Sequence, residues 1–318
     1  MRARPSLRVA LAVSAAGLLL AVAIVGLGGA GPAPAGQARP ADAATACGLP
    51  AGRTVRVSVV VGGQGMRSAL VHLPRTRGVH PLPLIVALHG AYADGAFMER
   101  YSGLSRLADR AGFAVVYPDS VGNFWRISAK ADDADVRFID GLLDRLLAGG
   151  CFDAGRVSAV GVSNGGGMAV RFACAGDDRL AGVVSVAGAY GPLPPCKARR
   201  PLSLLEVHGT ADPVVPYRGS PADPGSDVVG FLKDWADRDA CRPAPRVTLE
   251  RPGVERLDWT GCRDATEIAH LRLIGGTHTW PGTEPPAPGP QLGVSASDEA
   301  WRFLRDRRLA PLTGRETG

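Results

Sequence analysis

The sequence predicts an α/β fold: a mostly parallel central sheet with helices on both faces and an N-terminal antiparallel hairpin. Two patterns predict it. Short apolar, β-branched runs alternate with segments of helical spacing through residues 84–309, as strand–helix–strand units do. Several of those runs are apolar at every position, as strands covered on both faces are. Composition agrees: 318 residues, 46% hydrophobic and 21% charged, suit one large domain or two small ones with a sizeable core, and exclude wholesale disorder.

Taken in order, the chain begins with Arg2, Arg4 and Arg8, then an uncharged apolar run from Val9 to about Gly31, then Pro32, Ala33, Pro34 and Ala35. This reads as an export signal over residues 1–31 followed by a cleavage zone. The run exceeds the ~7–15 residues usual for a signal core and is long enough to span a bilayer if uncut. The expectation is a secreted protein, with anchorage at the outer face of a membrane as the alternative. Cys47 follows Ala44-Thr45-Ala46 well past the apolar run, which argues against a lipoprotein. Residues 32–46, rich in Pro, Ala and Gly, read as a flexible linker. Residues 47–310 are the expected catalytic domain, and 311–318 a disordered tail.

Residues 54–61 and 68–73 alternate and are β-branched, with Gly62, Gly63 and Gly65 between them, which predicts the opening hairpin. LIVAL at 84–88 is a buried strand ending at His89-Gly90. Residues 97–111 carry helical spacing at Leu104, Leu107, Ala108 and Ala111, and 114–117 form a short strand closed by Pro118. A helix over 135–147 puts Val136, Ile139, Leu143 and Leu146 on one side. The pattern continues with strand 157–162, helix 165–175, strands 182–186 and 204–207, helix 229–240, a last strand at 268–273 and a closing helix at 297–309. The proline-rich stretch 281–290 is a loop.

The net charge of +6 points to no nucleic-acid partner. Arg2, Arg4, Arg8 and Arg39 lie in the leader with Asp42, and their removal leaves about +3 spread along the chain without a basic stripe. The glycine pattern at Gly26, Gly28 and Gly31 lies inside the export signal, with no βαβ unit around it, and is no nucleotide site. The six cysteines are Cys47, Cys151, Cys174, Cys196, Cys241 and Cys262. An even count, no C-x-x-C spacing and an exported context favour disulfides over metal or redox chemistry, with the pairing left open.

Gly161-Val162-Ser163-Asn164-Gly165 fits G-x-S-x-G, a strand-to-helix turn that holds a nucleophilic serine above a sheet edge. With 42 glycines in the chain the pattern alone is weak, and its position between a buried strand and a helix gives it weight. Asp212 lies in the loop past the 204–207 strand, where an acid would orient an imidazole. His278 lies in a Gly-rich loop after the last strand, where a general base could reach over the sheet. The order Ser163, Asp212, His278 is that of α/β-hydrolases. The backbone N–H of Asn164, with that of Ala91 or Tyr92 after His89-Gly90, would form the oxyanion hole. His208 reads as structural, and His89 either as a packed strand-end histidine or as part of the oxyanion loop. Trp125, Trp280 and Tyr92 are candidate substrate-contacting aromatics.

Several stretches resemble the secreted esterases that include polyhydroxybutyrate depolymerases, feruloyl esterases and acetyl xylan esterases (carbohydrate esterase family 1-like). They are LIVALHG at 84–90, LADRAGFAVVYPD at 107–119, VRFIDGLLDRL at 136–146, RVSAVGVSNGGGMAVRFAC at 156–174, LEVHGTADPVVPY at 205–217, GGTHTWPG at 275–282 and DEAWRFL at 298–304. The resemblance implies the α/β-hydrolase fold, Ser163 as nucleophile, Asp212 as acid and His278 as base. It also implies the pairs Cys241–Cys262 and Cys174–Cys196, with Cys47 and Cys151 remaining. Many relatives have Cys where this chain has Ala91, and their aromatic, Asn-rich segment is shortened here to NFWRI at 123–127. The expected reaction is hydrolysis of feruloyl or acetyl esters of polysaccharide, or of short hydroxybutyrate esters, through an acyl-enzyme and without metal or cofactor. The alternatives are a metal-dependent hydrolase using His208, Asp212 and His278, and a non-catalytic envelope protein on a degenerate hydrolase fold.

Overall fold

The computed structural model describes residues 48–309 except 64, 76–80, 177, 192, 221–222, 285 and 288. The expected export signal, linker, Cys47 and C-terminal tail lie outside the described residues. Among the described residues, no helix is long and apolar enough to cross a membrane.

The hairpin expected at the start is present. Strand β1 (Arg53–Val61) pairs antiparallel with β2 (Gly65–Leu73), from Arg53 opposite Leu73 to Val61 opposite Gly65. The remaining strands of the main sheet are β3 (Leu82–Leu88), β4 (Ala114–Pro118), β5 (Phe152–Val162), β6 (Gly182–Val186), β7 (Leu204–Gly209), β10 (Arg246–Arg251), β11 (Val254–Trp259) and β12 (Ile268–Leu273). They form one ten-stranded sheet in the order β1-β2-β4-β3-β5-β6-β7-β12-β11-β10. Pairing is parallel from β4 through β12 and antiparallel at both ends. A separate two-stranded ribbon, β8 (Arg218–Ser220) with β9 (Asp223–Asp227), precedes helix α5.

Both faces of the sheet are covered, which is why its central strands are mainly apolar. Leu84, Val86 and Leu88 of β3 enter one core with α3 (Ala134–Leu147), α4 (Asn164–Ala173) and α5 (Val228–Arg238), around Phe138, Met168 and Trp235. Ile85 and Ala87 enter the other with α1 (Gly95–Ser102), α2 (Leu104–Ala111) and α6 (Ala296–Leu304), around Met98, Phe113 and Phe303.

Three expectations are corrected. The single helix expected at 97–111 is two, broken at Gly103, whose φ of 66° is left-handed and whose N–H caps Glu99 O. Both helices pack on one core, so the apolar spacing runs across the break. No strand was expected between the helix at 229–240 and the last strand at 268–273, yet the β10–β11 hairpin lies there and extends the sheet beyond β12. Helix α6 ends at Leu304 rather than 309. Cys174–Cys196 and Cys241–Cys262 are bonded as the resemblance implies. The first fastens the C-terminal end of α4. Cys151 is also disulfide-bonded.

Candidate active site

At the carboxyl end of β5 the chain turns into α4 through Ser163, held at φ 56° and ψ −123°. A non-glycine residue there carries on the order of 1–3 kcal/mol of backbone strain, which the surroundings must hold. They do: Ser163 N donates to Val186 O (2.9 Å), and Ser163 O accepts from Gly167 N (3.1 Å) and Ala189 N (3.0 Å). The flanking glycines are required by close approach. A Cβ on Gly161 would overlap the Gly165 carbonyl, and one on Gly165 would overlap the Leu88 and His89 carbonyl oxygens. Helix α4 starts at Asn164, so its N-terminal N–H groups and the positive end of its dipole lie beside the serine. The Asn164 side chain is occupied elsewhere. Its Oδ1 accepts from Trp125 N (2.7 Å) and its Nδ2 donates to Trp125 O (3.0 Å), tying the 124–127 segment to the elbow.

Asp212 and His278 are brought into direct contact, with His278 Nδ1 donating to Asp212 Oδ2 at 2.7 Å. The other carboxylate oxygen accepts from Val214 N (2.8 Å) and Val215 N (2.9 Å). Burial opposes ionisation of this carboxyl, but hydrogen bonds from His208, His278 and Val215 outweigh it and hold Asp212 well below the usual carboxylate range. With Nδ1 donating, His278 keeps its lone pair on Nε2. The loops carrying the two residues are stitched together. Thr210 N donates to Leu273 O (2.9 Å), Ala211 N to Gly276 O (3.0 Å) and Gly275 N to Thr210 Oγ1 (2.9 Å), and the backbones touch at Gly209 and Gly276. Ser163, Asp212 and His278 thus follow β5, β7 and β12, within the run of neighbours β5-β6-β7-β12, all at the carboxyl edge.

The loop after β3 lies against the serine, since a Cβ on Gly90 would sit 3.5 Å from Ser163 Cβ. Fully buried His89 fixes this loop. Its Nε2 accepts from Ser120 N (3.2 Å), so Nδ1 carries the proton and donates to Gly90 O (2.8 Å). Burial lowers its pKa and keeps the ring neutral. Because the peptide is planar and trans, holding the Gly90 carbonyl also fixes the Ala91 N–H, which points the opposite way. Tyr92 N–H is spent on Asn123 O (2.7 Å), which leaves Ala91 as the donor of this loop.

Two expected substrate contacts are corrected. Trp125 and Trp280 are each 0% exposed. Trp125 Nε1 donates to His89 O (3.0 Å) and Trp280 Nε1 to Ser297 Oγ (3.1 Å), so each indole is turned into a core by its own polar atom. Tyr92, in contrast, is 87% exposed and lies beside half-exposed Phe124, with ring centroids 6.4 Å apart. Phe124 was not among the candidate aromatics, although it adjoins Trp125 in the NFWRI segment. A metal site on His208, Asp212 and His278 does not fit these donors. Both ring nitrogens of His208 face acceptors, Glu206 Oε1 at 2.8 Å and Val215 O at 3.0 Å, so neither offers a lone pair.

The Esterase PHB depolymerase family matches residues 66–215. A putative esterase, NocK, from Nocardia uniformis subsp. tsuyamanensis is 32% identical over 292 residues, covering 79% of this chain and 82% of the relative. A probable feruloyl esterase C from Aspergillus niger is 27% identical, over 71% of this chain and 78% of its own. Among solved structures, an acetyl xylan esterase from Aspergillus awamori superposes with a TM-score of 0.60 at 15% identity, over 79% of this chain and 99% of the other. A ferulic acid esterase from Anaeromyces mucronatus in complex with ferulic acid gives 0.50 at 16% identity, over 80% and 90%. The structural likenesses carry the fold and the sequence likeness carries the family: this chain belongs to the Esterase PHB depolymerase family of carboxylic-ester hydrolases, on the α/β-hydrolase fold.

Proposed function

We propose that the protein hydrolyses carboxylic esters through an acyl-enzyme on Ser163, with His278 as general base and Asp212 as its orienting acid. The observation that carries this reading is the 2.7 Å Asp212–His278 hydrogen bond at the sheet edge where the strained Ser163 elbow is presented. His278 Nε2 takes the hydroxyl proton as Ser163 Oγ attacks the ester carbonyl. The N–H groups of Asn164 and Ala91 hold the oxyanion. The imidazolium returns the proton to the departing alcohol, and water activated by the same nitrogen then releases the acid.

For the acyl group, exposed Tyr92 and Phe124 beside the oxyanion loop favour a planar aryl acid such as a feruloyl ester over acetyl or hydroxybutyryl esters. The names of the relatives are in keeping with feruloyl and acetyl esters attached to polysaccharide. The disulfides and the arginine-led apolar N-terminal run support export. A fluorophosphonate probe tests the nucleophile: it should label the wild type and spare Ser163→Ala, and equal labelling refutes the assignment. Rates on an aryl ferulate, acetylated xylan and hydroxybutyrate oligomers test the acyl group. A preference for the oligomers counts against the aromatic rim.

A further inference from the structure

Behind Asp212, away from His278, lies a second, fully buried row of polar groups that the acyl-transfer scheme does not use. His208, at the end of β7, places Nδ1 2.8 Å from Glu206 Oε1 and Nε2 3.0 Å from Val215 O and 3.3 Å from Asp212 Oδ2. The side chains of His208, Glu206 and Asp212 are all 0% exposed. Each ring nitrogen therefore faces oxygen acceptors only, and a neutral imidazole in either tautomer would turn a lone pair against a carboxylate or a carbonyl. Only the doubly protonated ring satisfies both sides.

We infer that His208 is a positioning residue: a buried imidazolium clamped between Glu206 and Asp212, which shares Asp212 Oδ2 with His278 and so limits how strongly that carboxylate holds a proton on the catalytic base. This rests on the reading of Ser163, His278 and Asp212 given above. The shared atom carries the argument. Asp212 Oδ2 takes His278 Nδ1 at 2.7 Å and His208 Nε2 at 3.3 Å, so part of its charge is neutralised from behind. Without the cation behind it, the carboxylate's full charge would act on His278 Nδ1 alone.

The other groups facing His208 complete the balance. Tyr190, from the loop after β6, donates to Ser185 Oγ (2.8 Å) and Glu206 Oε1 (3.2 Å). From β12, His270 directs Nδ1 at the Glu206 backbone oxygen (3.2 Å) while lying 2.8 Å from Oε2, and its Nε2 meets Tyr217 OH (2.9 Å). Arg272, opposite His208 in the β7–β12 register, is committed to Glu255. Burial works against a charged His208, but the carboxylates of Glu206 and Asp212 override it and push its pKa up to about 10. Burial likewise opposes an ionised Glu206, yet the two histidines bring its pKa down to about 2.

Two measurements test this. In the wild type, labelled with 15N at histidine, one imidazole should keep both ring N–H protons from pH 6 to pH 9. If no histidine is doubly protonated at pH 9, the inference is overturned, whatever any variant does. In His208→Gln, the acidic limb of the kcat/KM profile should move up by about one pH unit, the size expected for a unit charge roughly 6 Å away at an effective dielectric of about 40. A purely structural role would lower activity equally at all pH values and leave the limb in place, which also overturns it. Where His208→Gln does not fold, Glu206→Gln/His208→Gln removes the cation with its counter-ion and should shift the limb the same way. His278→Ala separates the two readings. Retained turnover there overturns both, whereas an inactive His278→Ala beside an unshifted His208→Gln overturns only the role of His208.

Discussion

Gly165 and Gly141 both lie in helices, yet replacing each with alanine should move stability in opposite directions. Intrinsic propensity favours alanine by about 1 kcal/mol in a helix interior. At Gly141, inside α3, an added Cβ meets nothing within 4 Å, so Gly141→Ala should gain about 0.5–1 kcal/mol. At Gly165 the same atom would lie 2.7 Å from the Leu88 carbonyl carbon and closer still to the Leu88 and His89 oxygens, where ordinary contact begins at 3.4 Å. The obstacle is backbone and cannot rotate away. Nor can α4 back off freely, because a Cβ on Gly166 would meet Ser185 Oγ at 2.6 Å and one on Gly167 the Ala189 carbonyl. The helix start and the β3 end must separate by at least 0.7 Å, the gap between 2.7 and 3.4 Å. Overpacking of this kind costs about 3 kcal/mol before the propensity gain, leaving a net loss of about 2 kcal/mol. The same displacement parts the Asn164 and Ala91 N–H groups, so turnover should fall about 100-fold. Urea unfolding followed by tryptophan fluorescence, with disulfides intact, gives the two stabilities, and a chromogenic short-chain ester gives the rates. A Gly165→Ala midpoint at or above that of the wild type would refute the argument from close approach.

Further outcomes follow from the same structure. Between pH 6.5 and 10 the unfolded chain has lost the His208 proton while the folded protein keeps it, so stability should decline by a few kcal/mol over that range. Below about pH 4.5 it should decline again as Glu206, with its folded pKa near 2, is protonated first in the unfolded chain. Urea midpoints from pH 3 to 10 check both limbs, and a flat curve above pH 6.5 contradicts the charged His208. Trp280→Phe removes the donor to Ser297 Oγ and should cost about 1–2 kcal/mol while leaving KM for aryl esters unchanged. A several-fold rise in KM would return the indole to the substrate site. Tyr92→Ala should do the reverse, raising KM for aryl esters with a stability change within about 0.5 kcal/mol. The buried guanidinium of Arg171 donates to the carbonyls of Arg126, Ser128, Ala131 and Asp132 and to Asp133 Oδ1. Arg171→Met should therefore cost about 3 kcal/mol and make the 126–133 segment a site of limited proteolysis.

The strands at the centre of the sheet were legible because burial on both faces makes them mainly apolar, with Ser185, Glu206, His208 and His270 as interruptions. The bounds 182–186 and 268–273 match β6 and β12 residue for residue. Strand β10 was not legible for the converse reason: it is an edge strand, exposed at every residue, with Val247 56% and Leu249 41% exposed, so no core selects its pattern. The helix break at Gly103 was hidden because two short helices on one core share a single apolar stripe. At the site, Asp212 and His278 were legible from chain order and from their places after predicted strands, and the structure pairs them. The direction of the tryptophans was not, since a ring beside a catalytic loop can turn toward substrate or toward the core. The acceptors for their indole N–H groups, His89 O and Ser297 Oγ, are far away in the sequence. The charge of His208 was equally hidden, because it depends on what two distant loops place around the ring.

The stitching of the Asp212 loop to the His278 loop divides the carboxyl edge into two parts of unequal freedom. The loops carrying Asp212 and His278 rise from adjacent strands and are fastened to each other by main-chain bonds, whereas Tyr92 and Phe124 hang from the β3 and β4 side, held through Gly90, Asn123 and Asn164. On the proposed acyl-transfer reading, the exposed side chains of Tyr92 and Phe124 are therefore the place to graft new acyl preferences. Exchanges there leave the Asp212–His278 pair on its own footing.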